Sequence, residues 1–342
     1  MKPSPYFAAV FIIVSFFVSF FLTAKIRSYV INKNIIDIPN HRSAHTVPTP
    51  RGGGLAFVIT YFFILIFGFV WQFIELDFFS ALFGSAAIVA GVGYLDDKSH
   101  IPARWRLLAH FSAAIWAVYW IGIPPIVNHE SNAFLYAMVV IAFLLFIVWS
   151  INLYNFMDGI DGIAGSEAVF VFGASAIIYY LLGNDNLFIL LAALAFSVLG
   201  FLVFNFPPAK IFMGDAGSGF LGLVVSLLML QSAWFDSSVF YVFVVLYSVF
   251  ICDSAVTLLT RALRKQKLHE AHNLHAYQKI TRKFKSHKKT TVGIIFINIF
   301  FVFPVALLVA TNKLQPAIAL AIVYIPLILL CIAFGSGRAD EQ

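Results

Sequence analysis

Residues 133–162 read AFLYAMVVIAFLLFIVWSINLYNFMDGIDG, and nothing between Ala133 and Met157 carries a charge. Crossing the hydrocarbon core of a bilayer takes roughly 20 apolar residues in a helix, so the run predicts a transmembrane span. The span closes on Asn152, Asn155, Asp158 and Asp161, with Gly159 and Gly162 breaking the pattern. Comparable apolar runs lie at 6–24, 55–74, 78–95, 107–127, 133–151, 163–182, 187–204, 219–235, 239–260, 292–311 and 315–334. The expected fold class is therefore all-α, a polytopic integral membrane bundle of about 11 transmembrane helices. We expect one membrane-embedded domain over 1–342, with a basic loop carrying a histidine motif over 261–291.

Composition supports that class. Of 342 residues, 61% are hydrophobic and 11% charged, which leaves too little polar surface to cover a soluble globule of this size. The run after Lys2 has the basic start of a signal peptide. Leu22, three places before a cut after Ala24, makes a poor cleavage site, so we expect this run to span. Cys252 and Cys331 both fall within predicted spans, which supports neither a disulfide framework nor a cysteine metal site.

Basic residues orient the chain. With eleven spans, one set of loops holds 20 of the 22 Lys and Arg residues, ten of them between Arg261 and Lys289. The opposite set holds only Lys2 and Lys313. The positive-inside rule then places the N-terminus outside and the C-terminus in the cytoplasm. The net charge of +6 reflects this bias and contact with anionic lipid rather than nucleic acid. The unusual polar residues gather in the same cytoplasmic loops.

Five segments carry the chemistry. In Gly93-Tyr-Leu-Asp96-Asp97-Lys98, two adjacent carboxylates end a helix whose dipole already presents negative charge there. A cation must offset them, and a divalent metal is the natural candidate; the plainer reading is an acidic helix end beside Lys98. In the second segment, Asn152, Asn155 and Asp158 are spaced by three and share one face if the helix continues. Third, Asn205-Phe-Pro-Pro-Ala-Lys210-Ile-Phe212-Met213-Gly214-Asp215-Ala-Gly217-Ser218-Gly219 leads into a span. Its glycines allow close backbone approach, its helix start offers amides to phosphate, and Phe212 is placed to stack on a base.

Fourth, His269, His272 and His275 recur at i, i+3 and i+6 on one helical side, as phosphate donors, as a zinc site, or as a surface helix at the lipid interface. Fifth, Asp37-Ile-Pro-Asn40-His41-Arg42-Ser43-Ala44-His45 and Pro48-Thr-Pro-Arg51-Gly52-Gly53-Gly54 set an arginine suited to bidentate phosphate contact beside glycines, or serve only as a positive-inside anchor. Asp253 falls inside a predicted span and so is expected to face a polar partner in the bundle.

Taken in order from about residue 37 to 280, these segments resemble the polyprenyl-phosphate N-acetylhexosamine-1-phosphate transferase family, which includes the phospho-MurNAc-pentapeptide translocases and the enzymes that initiate O-antigen synthesis. The resemblance implies a bundle of ten or eleven transmembrane helices, Mg²⁺ as the ion with Mn²⁺ as its alternative, and a cleft at the cytoplasmic face. It further implies transfer of N-acetylhexosamine-1-phosphate from a UDP-sugar to undecaprenyl phosphate with release of UMP, initiating an O-antigen-like envelope polysaccharide.

By motif, Asp96 and Asp97 resemble the family's catalytic acid pair, and Asp215 its metal ligand, with Asp158 beside it. Segment and resemblance together group Asn152, Asn155, Asp161, Phe212, Arg51 and His45 around the nucleotide sugar. They set His269, His272, His275 and Lys98 against its phosphates or sugar. Asn273 departs from the His-Arg-x-x-His spacing common in O-antigen-initiating members. One-step and two-step routes both stay open. Expected partners are the UDP-sugar, the lipid phosphate, membrane lipid and no nucleic acid, with a homodimer left open. The rival reading is a membrane transporter or lipid-linked sugar flippase, although the acids cluster at one face rather than at the midplane and no internal repeat is evident.

Overall fold

Fourteen helices, one π-turn and a two-stranded ribbon account for nearly all the regular structure in the computed structural model, which describes residues 4–38, 47–99, 101–124, 132–267 and 272–339. In chain order they are α1 (Pro5–Asn32), β1 (Ile36–Asp37), β2 (Thr49–Pro50), α2 (Leu55–Val70), α3 (Leu76–Lys98), α4 (Ala103–Ile121), α5 (Ala133–Met157), α6 (Ile163–Leu181) and α7 (Asp185–Asn205). Then follow α8 (Asp215–Phe235), α9 (Ser237–Leu246), α10 (Ser248–Leu263), α11 (Ala276–Phe284), α12 (His287–Ile297), the π-turn (Asn298–Val302), α13 (Phe303–Ala310) and α14 (Pro316–Ala333). The strands pair antiparallel, Ile36 opposite Pro50 and Asp37 opposite Thr49.

Among the described residues, eight helices are long and apolar enough to cross a membrane, α12 to α13 counting as one, or nine if α9 and α10 form a single bent span. This is a multi-pass membrane protein. Each of the eleven predicted runs meets a helix, with differences. The run at 239–260 is two helices bent by 68° at Tyr247. The second run yields 16 residues rather than twenty. A π-turn interrupts the tenth just before Pro304, whose ring cannot sit against the carbonyl four residues back.

Helix α8 forms the axis of the bundle, buried without interruption from Ala216 to Leu230. Apolar burial contributes little to helix association in lipid, so close backbone approach matters more. Gly93 of α3 provides it, since a Cβ there would lie 2.5 Å from the backbone of Ala216. Ser150 of α5 adds a hydrogen bond across to the carbonyl of Gly222, at 2.9 Å. With α3 and α5 clamped on α8, the ends of α3 and α5 and the start of α8 meet at one end of the bundle.

Asp253 behaves as its cost in a membrane requires. Buried in α10, its carboxylate accepts from the backbone N–H groups of Ala276 (2.8 Å) and Tyr277 (2.9 Å) and from the Thr257 hydroxyl (3.1 Å). It thereby caps α11 from outside that helix. A second polar pair, unforeseen from sequence, joins α6 to the π-turn, where Asn298 Nδ2 donates to Glu167 Oε2 at 2.6 Å.

Candidate active site

The approach to α2 is laced to the approach to α8. Phe212 N–H donates to the Pro50 carbonyl (2.8 Å), Gly53 N–H to that of Phe212 (2.9 Å), and Gly54 N–H to that of Met213 (2.8 Å). The lacing sets Arg51 against Asp215, although 164 positions separate them. Arg51 Nη2 pairs with Asp215 Oδ1, and its Nε lies 2.8 Å from Asp97 Oδ1. Burial opposes the charge on Arg51, but Asp215 and Asp97 outweigh it and hold its pKa above the ordinary value.

The two adjacent acids point to different partners. Asp97 accepts from the backbone N–H groups of Asp215 (2.9 Å) and Ala216 (3.2 Å). The first amides of α8, expected from sequence to be open to a phosphate, are therefore already capped by a carboxylate. Gly214 makes room for this: its φ is +81°, and a Cβ would stand 2.5 Å from Asp97 Oδ2. Asp96 instead accepts from Ile101 N–H (2.6 Å) and Arg106 Nη1 (2.7 Å), and the same Nη1 lies 3.3 Å from Asp215 Oδ2. The cation demanded by the acid pair is thus supplied by two arginines and a helix N-terminus of the chain itself.

Helix α5 does continue through its polar turn. Asn155 Nδ2 donates to Asp215 Oδ1 and to Ser218 Oγ, each at 3.0 Å. One turn earlier, Asn152 donates to its own helix at Val148 O (2.7 Å) and stands 3.4 Å from His110 Nδ1; it does not line the cavity beside Asp215. That cavity, about 300 Å³, is lined by Arg51, Asn155, Asp158, Asp161, Phe212 and Asp215, together with Asp37, Asn205, Gln278 and His287. Burial pushes the Asp158 carboxyl well above the usual carboxylate range, Arg51 opposes that, and Asp215, Asp97 and Asp161 reinforce it.

The structure brings Arg51, Asp96, Asp97, Asn155, Asp158, Asp161, Phe212 and Asp215 together at this end of the bundle and sets other predicted residues elsewhere. Of the histidine segment, the described residues 272–275 are irregular rather than helical, and α11 begins at Ala276. His275 is buried with Nδ1 3.2 Å from Asp253 Oδ1, and its ring stacks on that of His272 at 5.0 Å. Burial, then His275 and Arg261, push His272 down to about 4. Lys98 is exposed at the end of α3 and forms no ion pair among the described residues. His45 and His269 lie outside the described residues. Arg106 carries no sequence signal beyond loop charge, and His287 sits within a basic run.

A magnesium ion suits the donor chemistry, since Asp158, Asp161 and Asp215 bring hard carboxylate oxygens to one cavity. Among the described residues no three acidic or imidazole groups stand close enough to enclose an ion. Mg²⁺ characteristically binds one or two carboxylates and completes its shell with water and substrate phosphates.

Comparison with known proteins agrees with this architecture. The model of Glycosyl transferase family 4 matches residues 78–233, the stretch from α3 through α8. The probable undecaprenyl-phosphate N-acetylglucosaminyl 1-phosphate transferase of Bacillus subtilis (strain 168) is 30% identical, over 97% of this chain and 94% of its own length. The undecaprenyl-phosphate alpha-N-acetylglucosaminyl 1-phosphate transferase of Thermotoga maritima is 29% identical over 61% of each chain. The decaprenyl-phosphate N-acetylglucosaminephosphotransferase of Mycobacterium tuberculosis (strain ATCC 25618 / H37Rv) is 28% identical, over 61% of this chain and 56% of its own. These relatives make the multi-pass bundle, with its acidic, arginine-clamped cavity at one end, a membrane transferase. The chain belongs to Glycosyl transferase family 4, the polyprenyl-phosphate hexosamine-1-phosphate transferases.

Proposed function

We propose that the protein transfers N-acetylglucosamine-1-phosphate from UDP-N-acetylglucosamine to undecaprenyl phosphate, releasing UMP and initiating an envelope polysaccharide of O-antigen type. The carrying observation is the convergence of Asp96, Asp97, Asp158 and Asp215 with Arg51, Arg106 and Asn155 at one end of the bundle, from segments far apart in sequence. Names of the relatives favour the N-acetylglucosamine donor and the polyprenyl acceptor. We place the site at the cytoplasmic face of an inner membrane, with eleven crossings and the N-terminus outside, on the loop charge asymmetry.

In this reading a lipid phosphate oxygen attacks the β-phosphorus of the nucleotide sugar. A new P–O bond forms, the bond from the β-phosphorus to the bridging oxygen breaks, and UMP leaves with that oxygen. Asp215 and Asp158 would hold Mg²⁺, which supplies charge neutralisation to the diphosphate. Arg51 and Arg106 add cationic charge beside the same oxygens, and Phe212 offers a ring to the base. A phosphate monoester loses its second proton near about pH 6, so the acceptor needs little help from a base. Asp97, engaged by two backbone amides and Arg51, is better suited to fixing the start of α8 than to attacking phosphorus, which favours the one-step route.

The test is a detergent assay with undecaprenyl phosphate, Mg²⁺ and a panel of UDP-N-acetylhexosamines, following UMP release and the mass of the lipid product. We expect product from UDP-N-acetylglucosamine, abolished by a chelator and by Asp215→Asn. Folded protein that releases no UMP from any donor would sink the enzyme reading in favour of a transporter.

A further inference from the structure

Helix α8 carries the active site at its start and a second cavity at its end. This cavity, about 520 Å³, is lined by Gln231 and Trp234 of α8, Trp120 of α4, Asn186 of α7, and Glu75 and Asp77 at the start of α3. Because α8 has 21 residues, the two cavities stand about 30 Å apart, the thickness of a bilayer's hydrocarbon core. On the loop charge asymmetry, this end faces away from the cytoplasm.

Tryptophans at a membrane edge anchor helices among the lipid headgroups, and the indoles alone would need no other account. The polar side chains do need one. Asn184 Oδ1 is used, accepting from Leu187 N–H at 3.1 Å to cap α7, and Trp116 Nε1 donates to Ser80 O at 2.8 Å. By contrast, Glu75, Asp77, Asn186 and Gln231 make no side-chain hydrogen bond among the described residues. One turn on from Trp116, Trp120 Nε1 is buried with no acceptor, although a buried indole N–H ordinarily finds one.

These unused groups define what would satisfy them. Carboxylates only accept, an indole only donates and amides do both, so a fitting ligand presents donors and acceptors together. The lining holds neither Lys nor Arg among the described residues, and its two acids would repel a phosphate. The negative faces of the indoles favour C–H bonds packed against them. A ring with hydroxyls at its edge and C–H bonds on its faces meets each condition, and small-ligand sites of about 300–1,000 Å³ are the usual size. We propose that this cavity binds a neutral saccharide at the end of the bundle opposite the active site. The proposal goes beyond the transferase reading and does not rest on it.

The test is saturation-transfer difference NMR on the full-length protein in a sugar-free amphipol, with N,N′-diacetylchitobiose and maltose as probes. Transfer to at least one disaccharide is expected, unchanged by excess UMP. No transfer to either would overturn the proposal, as would transfer that UMP abolishes, because the saccharide would then lie in the active site. Displacement of the disaccharide by O-phosphoethanolamine would assign the cavity to a lipid headgroup instead and overturn it too.

Gln231→Leu and Trp120→Phe should each weaken binding about tenfold, the worth of one hydrogen bond. Trp71→Phe, exposed at the same end but outside the lining, should leave it unchanged. Equal weakening in all three, or none in the two cavity variants, would defeat the assignment. Should a variant fail to fold, hydroxyl-radical footprinting of wild type with and without disaccharide gives the location. Protection of Trp234 but not of Trp71 is expected, and any other pattern would place the saccharide elsewhere.

Discussion

Arg51 and Asp97 are joined by a 2.8 Å contact from Nε to Oδ1, and the same guanidinium reaches Asp215 through Nη2. One side chain therefore spans the end of α3 and the start of α8. Asp97 closes the triangle by accepting from the backbone N–H of Asp215 at 2.9 Å. The planar fork holds two carboxylates together that would otherwise repel.

Arg51→Lys keeps the charge but cannot bridge both acids, because an ammonium lacks the fixed fork. We expect kcat to fall on the order of a hundredfold, as when a preorganised donor is lost, with little change in KM for the lipid. UMP release by folded variant measures this. Wild-type kcat in the lysine variant would show that the bridge is dispensable.

Asp253→Ala removes a buried carboxylate that accepts from Ala276 N–H, Tyr277 N–H and Thr257. Two orphaned amides in the first turn of α11 should destabilise the fold by about 2–4 kcal/mol. Activity should fall too, since Tyr277 Oη donates to Phe156 O at 2.9 Å, directly before the Asp158 segment. A thermal melt in detergent checks it; an unshifted melt would mean that the cap does not carry α11.

Much of this was legible in the sequence because hydropathy is a local property. The uncharged run from Ala133 to Met157 gave α5, and Asp96, Asp97, Asp158 and Asp215 could be placed at helix ends because each adjoins such a run. The break at Tyr247 could not be read, for no proline or glycine marks it and the apolar pattern runs straight through. Arg106 and His287 were missed for a different reason. Arg106 pairs with Asp96 ten positions away and with Asp215 across 109, and His287 meets Asp161 across 126; a basic residue in a basic loop reads the same whether it faces water or an acid. The histidine spacing misled because it presumed a helix that begins only after His275.

Gly93→Val tests the contact that brings the acids together. A Cβ at Gly93 would meet Ala216 backbone at 2.5 Å, whereas one at Gly91 would meet nothing within 4 Å. We expect Gly93→Val to abolish recovery of monodisperse protein and Gly91→Ala to leave yield and activity intact, both read by size-exclusion chromatography. Normal behaviour of the Gly93 variant would place α3 farther from α8 than described.

His272 gives the fold a pH dependence of predictable sign. Burial, with help from His275 and Arg261, pushes its imidazole down from 6.5 to about 4, so between those values the unfolded chain takes up a proton that the folded chain refuses. Stability from this group is complete above the unfolded value and declines as pH falls toward about 4. The ring is only partly buried, so after solvent screening the loss should be on the order of 1 kcal/mol. Melting temperatures from pH 7.5 to 5 in His272→Gln should fall less steeply than in wild type. Parallel curves would show that His272 takes up its proton in the folded protein at the same pH as in the unfolded chain.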